Sequence, residues 1–188
     1  MLSEYLGIPI VSTGQLLRDI SDSHPWYKEI HEAMKKGALA DQIKVASLLK
    51  EELAKEQYSC GYIIDGWFRS MTDVETYEPA LDQAILLIIS PETTIKRLGT
   101  RRTCSSCGQI FNIVSLPPKI EGICDTCGGK LVQRDDDTKE AIMKRLEIYN
   151  TDTKEVLQYL KDKNILEEVD GEGSPKEVFD LIVKRFGW

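Results

Sequence analysis

The chain reads CSSCG at residues 104–108 and CDTCGG at residues 124–129, and these two stretches hold four of its five cysteines. Two C-x2-C pairs at this separation are typical of a zinc ribbon, in which two tight turns bring four thiolates to one ion. Glycine follows each pair and adopts the positive φ needed where backbone wraps around a metal-bound sulfur. Four sulfur ligands complete a tetrahedral zinc, so the predicted metal is structural. The predicted ligands are Cys104, Cys107, Cys124 and Cys127.

The same cysteines allow two other interpretations, namely two disulfides or four reduced core cysteines. The segment between the pairs, residues 109–123, contains Pro117-Pro118 and is not expected to bury a core of its own. A bound zinc is what we expect to order it.

Arginines flank the cysteine segment on both sides, although the chain carries a formal net charge of −7. The planar guanidinium binds phosphate oxygens in pairs, so this local excess of arginine predicts an anion site. The alternative is that the arginines form surface ion pairs with the aspartates at residues 135–137. The arginines are Arg97, Arg101, Arg102, Arg134 and Arg145.

Length and composition predict one soluble globular domain, with 188 residues, 41% hydrophobic and 29% charged. No apolar run of about 18 residues and no signal peptide is present, so neither a membrane span nor secretion is predicted. Thiols that hold metal favour a reducing compartment, which indicates the cytoplasm. The acidic net charge argues against general nucleic-acid binding.

Apolar runs at residues 8–11, 61–65, 84–90 and 165–170 predict strands, and helical patterns separate them. This alternation predicts an α/β fold with a doubly wound parallel sheet, in which residues 84–90 form a strand buried on both faces. Ligands bind beyond the carboxyl ends of such strands, which places Asp65 and Arg69 near a ligand. Asp65 alone also fits a turn or a helix cap. Ser12 or Thr13, and later Asp136 or Asp137, are predicted helix caps.

These pieces, in this order, resemble the adenylate kinases of the nucleoside monophosphate kinase family along essentially the whole chain. The resemblance is carried by Ser12-Thr13-Gly14, Lys36-Gly37-x-Leu39-x-Asp41, Asp65-Gly66-x2-Arg69, Arg97-x3-Arg101-Arg102, Gln133-Arg134-Asp135-Asp136-Asp137, Arg145-Leu146-x3-Tyr149 and Val169-Asp170-Gly171. It implies a P-loop NTPase-like core at residues 1–11, 42–103 and 138–188. It also implies a helical clamp for the acceptor monophosphate at residues 12–41 and a zinc-binding lid at residues 104–137.

The resemblance further implies a monomer that carries out Mg²⁺-dependent phosphoryl transfer, ATP + AMP to two ADP. Phosphoryl transfer requires positioning and charge neutralisation, which arginines supply. The implied acceptor residues are Thr13, Arg18, Leu39, Ala40, Asp41, Gly66, Arg69 and Asp73. The implied donor residues are Arg101, Ile110, Phe111 and Gly173. The implied catalytic residues are Arg97, Arg101, Arg134 and Arg145, with Asp65 orienting water on Mg²⁺.

The chain departs from the family pattern in three places. Gly66-Trp67-Phe68-Arg69 stands where the family has Gly-Phe-Pro-Arg, and Asp73 stands where the family has the glutamine that reads adenine. A carboxylate only accepts hydrogen bonds, so we expect a weakened preference for AMP and acceptance of GMP or other monophosphates. The phosphate-loop pattern G-x4-G-K-[ST] is absent from the 188 residues. We expect an incomplete chain without the first strand and the phosphate loop, impaired as a kinase, or else a relative without a donor site.

Two further functions fit parts of the sequence. A non-catalytic nucleotide-binding relative would explain the arginines, and only a test of the donor site separates it from an enzyme. A zinc-ribbon binding module would explain the cysteines. It would not explain why arginines also stand on distant helices, and the interleaved aromatics and lysines of a nucleic-acid ribbon are lacking.

Overall fold

The computed structural model describes residues 1–188, the whole chain. Helices and strands alternate along it. The helices are α1 (Leu2–Leu6), α2 (Thr13–Arg18), α3 (Tyr27–Lys35), α4 (Gln42–Leu53), α5 (Met71–Thr76), α6 (Pro91–Gly99), α7 (Lys139–Ile148), α8 (Lys154–Asp162) and α9 (Pro175–Phe186). The strands are β1 (Ile10–Ser12), β2 (Ile63–Asp65), β3 (Ala84–Ile88), β4 (Arg101–Cys104), β5 (Ile110–Asn112), β6 (Leu131–Val132) and β7 (Leu166–Asp170).

Four of the strands form parallel pairs joined by helical crossovers. β1 runs beside β2, with Ser12 opposite Asp65 at the carboxyl ends, and β3 runs beside β7, with Ile88 opposite Asp170. The remaining strands form a separate antiparallel sheet in the order β5-β4-β6. The predicted α/β class with parallel sheets is therefore confirmed, and the strands around the cysteines form a small sheet of their own.

The parallel strands lie in two two-stranded sheets and not in one continuous sheet. β3 pairs only with β7, and Leu87 and Ile88 expose 47% and 46% of their surface. The prediction that residues 84–90 form a strand buried on both faces is wrong. Such burial requires covering layers and paired neighbours along the strand, and one edge of β3 has no paired strand.

The largest apolar cluster packs α2, α3 and α4 against β1 and β2. Its buried members are Val11, Leu17, Ile30, Val45, Ala46, Leu49, Tyr58 and Trp67. Burying a large aliphatic side chain stabilises a fold by about 1.5–3 kcal/mol, so this cluster fixes the three helices relative to the strand ends. The beginning of α2 is thereby held beside the end of β2.

Of the two predicted helix caps, the one at α7 is a different residue, and the one at α2 is in place without a side-chain hydrogen bond. Thr138, and neither Asp136 nor Asp137, caps α7, because its Oγ1 accepts a hydrogen bond from the Ala141 amide at 3.2 Å. Ser12 stands at the first cap position of α2 without a side-chain hydrogen bond. The carboxylates of Asp136 and Asp137 are instead bound by arginines, described below.

None of the helices combines the length and the apolar composition that crossing a membrane requires. The division into core, clamp (residues 12–41) and lid (residues 104–137) stays a prediction.

Candidate nucleotide site and metal centre

The carboxyl end of β2 and the beginning of α2 meet at a corner formed by Thr13, Gly66 and Arg69. The Thr13 hydroxyl contacts the Gly66 and Asp65 carbonyl oxygens, at 2.8 and 3.2 Å. Arg69 Nε donates to the same Gly66 oxygen at 2.8 Å. Gly66 has φ +83°, and a Cβ there would lie 2.7 Å from Arg69 Nη2 and 2.9 Å from Thr13 Oγ1. Only glycine therefore lets these two side chains meet.

A second group of arginines is bound to two buried carboxylates, Asp136 and Asp137, at the end of the lid. Arg101 donates to both oxygens of Asp137, at 2.8 and 2.5 Å. Arg145 pairs with Asp136 and lies 3.8 Å from Asp137. Arg134, on the same side, donates through Nε to Thr103 Oγ1 at 2.9 Å. Arg101 and Arg145 thus form the ion pairs that the sequence allowed as an alternative, but their partners are buried and not on the surface. Asp135 is exposed and forms no ion pair.

The two groups are close enough to act on one another electrostatically. Burial first, and then the charges of Arg101 and Arg18, lower the pKa of Arg134 to about 10. Protein atoms surround most of the Arg69 guanidinium although the residue keeps exposed surface. This desolvation first, and then the charge of Arg145, lowers the pKa of Arg69. Burial likewise lowers the pKa of Arg18. Crowded, partly desolvated cations of this kind are stabilised by an anion placed among them.

A cavity of about 450 Å³ opens directly after Arg69, between α4, α5 and the start of α8. This volume is within the usual range for small-molecule sites. The predicted base-pocket residues Leu39, Ala40 and Asp41 line it. Asp41 also caps α4, because its Oδ1 accepts from the amides of Ile43 and Lys44 at 3.0 and 3.2 Å. The other lining residues are Gln42, Ser70, Met71, Thr72, Thr151, Asp152 and Glu155.

Asp73 does not line this cavity. It is 3% exposed, and its Oδ2 accepts from the backbone amides of Arg69 at 2.7 Å and Ser70 at 3.0 Å. Burial raises the pKa of Asp73, while those two hydrogen bonds oppose the rise. The carboxylate is thus engaged in ordering the backbone between β2 and α5.

The structure does not bring every predicted site residue into one group. Arg97 lies apart and donates to the carbonyl oxygens of Gly171, Glu172 and Gly173, at 2.7, 2.6 and 2.9 Å. Gly173, a predicted donor-site residue, is thus bound by a predicted catalytic arginine. Asp65 is exposed at the end of β2. Their roles in catalysis stay predictions.

The two lid residues predicted to contact the donor base differ in accessibility. Ile110 is 48% exposed, whereas Phe111 is 6% exposed and packs with Cys104, Cys124 and Leu131 in the lid's own core. Successive side chains on a strand point to opposite faces of the sheet, so Phe111 faces the lid's core while Ile110 faces solvent. Only Ile110 offers its side chain in this arrangement.

The four predicted metal ligands form one compact cluster, with all four sulfur atoms within 4.8 Å of one another. Cys104 Sγ lies 3.5 Å from Cys127 Sγ, and Cys107 Sγ lies 3.6 Å from Cys124 Sγ. These separations are far longer than the bond of about 2.0 Å in a disulfide. They approach the roughly 3.8 Å between sulfurs of a tetrahedral zinc with bonds of about 2.3 Å. The cluster therefore fits a bound metal ion.

Local backbone also prepares the cysteines for metal. Amide N–H groups of Cys107 and Ser106 point at Cys104 and, against its burial, lower the pKa of that thiol to about 6. Gly108 and Gly128 have the predicted positive φ, +74° and +73°. Gly129 serves differently, because a Cβ there would lie 2.9 Å from Cys104 Sγ.

Sequence reasoning missed two sets of residues in this region. It did not select Gln42 and Ser70, which line the cavity and are hydrogen-bonded to each other. The sequence did offer one indication for Gln42, because position 42 directly follows the segment 39–41 that was predicted to line the base pocket. It also treated Asp136 and Asp137 as surface partners or helix caps, although they are 7% and 2% exposed.

Parallel strand ends, an arginine cluster near a cavity and a four-cysteine cluster are together typical of an α/β protein that binds phosphorylated ligands. Comparison with known proteins agrees with this class. Residues 101–136 match the family profile "Adenylate kinase, active site lid", and residues 1–108 match the profile "AAA domain".

Full-length relatives narrow the class. The adenylate kinase of Thermodesulfovibrio yellowstonii is 41% identical over 189 residues, which cover 96% of this chain and 88% of that protein. The adenylate kinase of Clostridium tetani is 37% identical over 195 residues, covering 100% of this chain and 90% of that protein. That of Thermotoga maritima is 36% identical over 196 residues, with 100% and 89% covered. The chain belongs to the adenylate kinase family, whose members are nucleoside monophosphate kinases.

Proposed function

We propose that this protein transfers a phosphoryl group between ATP and AMP to give two ADP. The observation that carries the proposal is the convergence of Arg18, Arg69, Arg101, Arg134 and Arg145 near a cavity whose volume suits a small molecule. A phosphoryl group in transfer carries several negative oxygens, and cations held in place around it lower the barrier. The neighbouring cavity would take the base of the acceptor.

In this proposal the acceptor monophosphate is held by Arg69 and Arg18, with Thr13 and Gly66 fixing the corner on which Arg69 rests. Leu39, Ala40 and Asp41 line the base site. Arg101 and Arg134 stand at the two ends of the lid and would close over the phosphates, which excludes water from the reaction. Asp136 and Asp137 hold Arg101 and Arg145 in place until a more highly charged ligand arrives.

Two metals belong to the proposal. Mg²⁺ would accompany ATP and neutralise its phosphates, and Asp65 at the end of β2 would orient its bound water. Zinc is the proposed ion of the four-cysteine cluster, since four thiolates in a tetrahedral arrangement suit it. Such chemistry requires reduced thiols, so we place the protein in a reducing compartment such as the cytoplasm, as a monomer without nucleic-acid or membrane partners.

The 188 residues contain no G-x4-G-K-[ST] pattern, and β2 and β3 belong to different sheets. We therefore propose that this polypeptide by itself binds the acceptor nucleotide but transfers phosphoryl groups slowly. One preorganised donor is worth about 3–4 kcal/mol in a transition state, so the loss of several backbone amides and a lysine would reduce turnover by many orders of magnitude. A non-catalytic nucleotide-binding protein is the second candidate, supported by the same missing pattern.

The test combines AMP calorimetry with a coupled assay of ADP formation. Arg69→Ala should weaken AMP binding at least tenfold, because charge-assisted bonds to phosphate are among the strongest in proteins. Arg185→Ala is the matched control, since Arg185 is exposed on α9 and pairs with Glu167. The assay compares this polypeptide with one carrying a family-type strand, phosphate loop and helix in front of Met1. Turnover only in the extended form supports the kinase, whereas AMP binding with no turnover in either form supports the non-catalytic candidate.

A further inference from the structure

The cavity beside Arg69 contains one side-chain amide, that of Gln42. Gln42 is the first residue of α4 and is half-buried. Its Nε2 donates a hydrogen bond to the Ser70 hydroxyl, which joins the start of α4 to the start of α5. The second N–H of Nε2 and the Oε1 atom have no hydrogen-bond partner in the protein. A ligand in the cavity therefore meets one free donor and one free acceptor on the same group.

The carboxylate that the sequence suggested as the base reader is not available to such a ligand. Asp73 is buried outside the cavity lining, and two backbone amides already occupy its Oδ2. Releasing it would leave those amides unsatisfied, at a cost of about 1–3 kcal/mol for each buried group. Asp73 is therefore committed to the fold of the turn that carries Arg69.

We propose that Gln42 determines which base the acceptor site takes, with Ser70 holding the amide in place. This inference rests on the proposed function, because it assigns the base-reading residue of the same site. The two side chains stand at the starts of two different helices, Gln42 in the first turn of α4 and Ser70 at the cap of α5, so their contact ties these helices together where both line the cavity. Asp73 supports the site only through the backbone of Arg69 and Ser70.

The chemistry of an anchored amide favours one purine over the other. Adenine presents an amino donor beside the N1 acceptor, whereas guanine presents the O6 acceptor beside the N1–H donor. An amide that can rotate freely suits either order, because it carries both a donor and an acceptor. The Ser70 contact restricts that rotation. The fixed amide then pairs donor with acceptor for one of the two purines, whereas for the other purine it places donor against donor and acceptor against acceptor. We assign adenine as the matched base, in keeping with the proposed AMP acceptor.

The carboxylates of the lining do not provide the same discrimination. Asp41 is engaged by two amides of α4, and Glu155 is exposed where water competes with a base. Asp152 is half-buried, but a carboxylate only accepts hydrogen bonds and would favour guanine's adjacent N1–H and amino donors. A preference for AMP over GMP must therefore come from a group that also donates.

The decisive variant is Gln42→Glu, which keeps the shape and removes the donor. A carboxylate in the first turn of a helix is favourable, so α4 should form in this variant. Calorimetric binding of AMP and of GMP to the wild-type chain should favour AMP. In Gln42→Glu we expect the ratio of the two dissociation constants to shift towards GMP by about ten- to a hundredfold. Gln42→Met, which removes donor and acceptor together, should bring the ratio towards one.

Asp73→Asn is the comparison, and it should leave the AMP-to-GMP ratio within about threefold of the wild type even if both affinities fall. An unchanged ratio in both Gln42 variants would overturn the inference, as would a large change in ratio for Asp73→Asn alone. A purely structural role of Gln42 would weaken both nucleotides equally, which also counts against it. Absence of binding by either nucleotide to the wild-type chain would instead contradict the proposed function.

Discussion

Arg101 grips the carboxylate of Asp137 with two nitrogen atoms, Nε at 2.8 Å and Nη2 at 2.5 Å, and the Asp137 side chain has no exposed surface. Arg101 comes from the strand that enters the lid, and Asp137 follows the strand that leaves it. The pair therefore joins the two ends of the lid. It also fixes the position of Arg101, an arginine that we propose binds phosphate.

Asp137→Ala should lower the free energy of unfolding by about 3 kcal/mol or more. Removing one partner of a buried ion pair leaves the other charge uncompensated, which typically costs about 3–5 kcal/mol. Urea denaturation measures the change. Asp135→Ala is the matched control and should stay within about 0.5 kcal/mol, because Asp135 is exposed and unpaired. Equal effects from the two variants would show that the Arg101–Asp137 pair does not stabilise the fold.

The cysteine cluster should bind one zinc ion per chain, released by chelators and by acid. Its ligands bind as thiolates, so protons compete with the metal as pH falls. Elemental analysis of protein purified without added metal is the measurement. Cys104→Ser should reduce zinc below half an equivalent, whereas Cys60→Ser should leave it unchanged, since Cys60 lies outside the cluster. Four freely titrating thiols in the metal-free wild-type protein would contradict the assignment.

Gly37→Ala should destabilise the protein more than the same substitution at a glycine that has the same backbone conformation but no neighbouring atoms. Gly37 has φ +68°, and a Cβ there would lie 2.3 Å from the Ala141 carbonyl oxygen of α7. The control is Gly7→Ala, because Gly7 also has φ +68° with nothing within 4 Å.

Both glycine variants include the strain of a left-handed alanine, about 1–2 kcal/mol. In Gly37→Ala alone the new methyl group also overlaps with α7, and the clamp must move away from α7 to relieve the overlap. We expect this movement to lower the free energy of unfolding by a further ~1–3 kcal/mol. Thermal unfolding of the two variants compares them. If Gly37→Ala lost no more stability than Gly7→Ala, the contact between residue 37 and α7 would adjust to the methyl group at no cost.

Asp73 should give the wild-type protein a pH dependence that Asp73→Asn lacks. Burial raises the folded-state pKa above its ordinary 3.8, so the folded chain holds this proton more tightly than the unfolded chain does. The stability that Asp73 contributes is therefore fully present below 3.8 and is lost as pH rises through the folded-state pKa.

Between about pH 3.5 and 7 the wild type should accordingly lose stability relative to Asp73→Asn. The loss should be about 1.4 kcal/mol for each pH unit that separates the folded-state pKa from the unfolded-state pKa. Urea denaturation of both proteins across this range is the experiment. A wild type that gains stability relative to the variant with rising pH would reverse the sign and show that the amide hydrogen bonds outweigh burial.

Features that depend on local spacing follow from the amino-acid sequence alone. Two C-x2-C pairs with following glycines predicted the sulfur cluster and its left-handed turns. Alternating apolar runs predicted the α/β class, and the motif order predicted the family. A metal-binding turn or a strand end is set by residues a few positions apart, so these features need no knowledge of long-range packing.

Which side chains are free to act depends instead on tertiary packing. Asp73 looked like a base reader, yet nearby backbone amides bind its carboxylate, and Gln42 reaches the cavity from another helix. Arg97 does not lie with the other arginines, because it donates to carbonyl oxygens about 75 residues later in the chain. Hydrogen-bond partners and burial depend on residues distant in sequence, because buried polar groups take whichever partner the packing of the chain brings within reach.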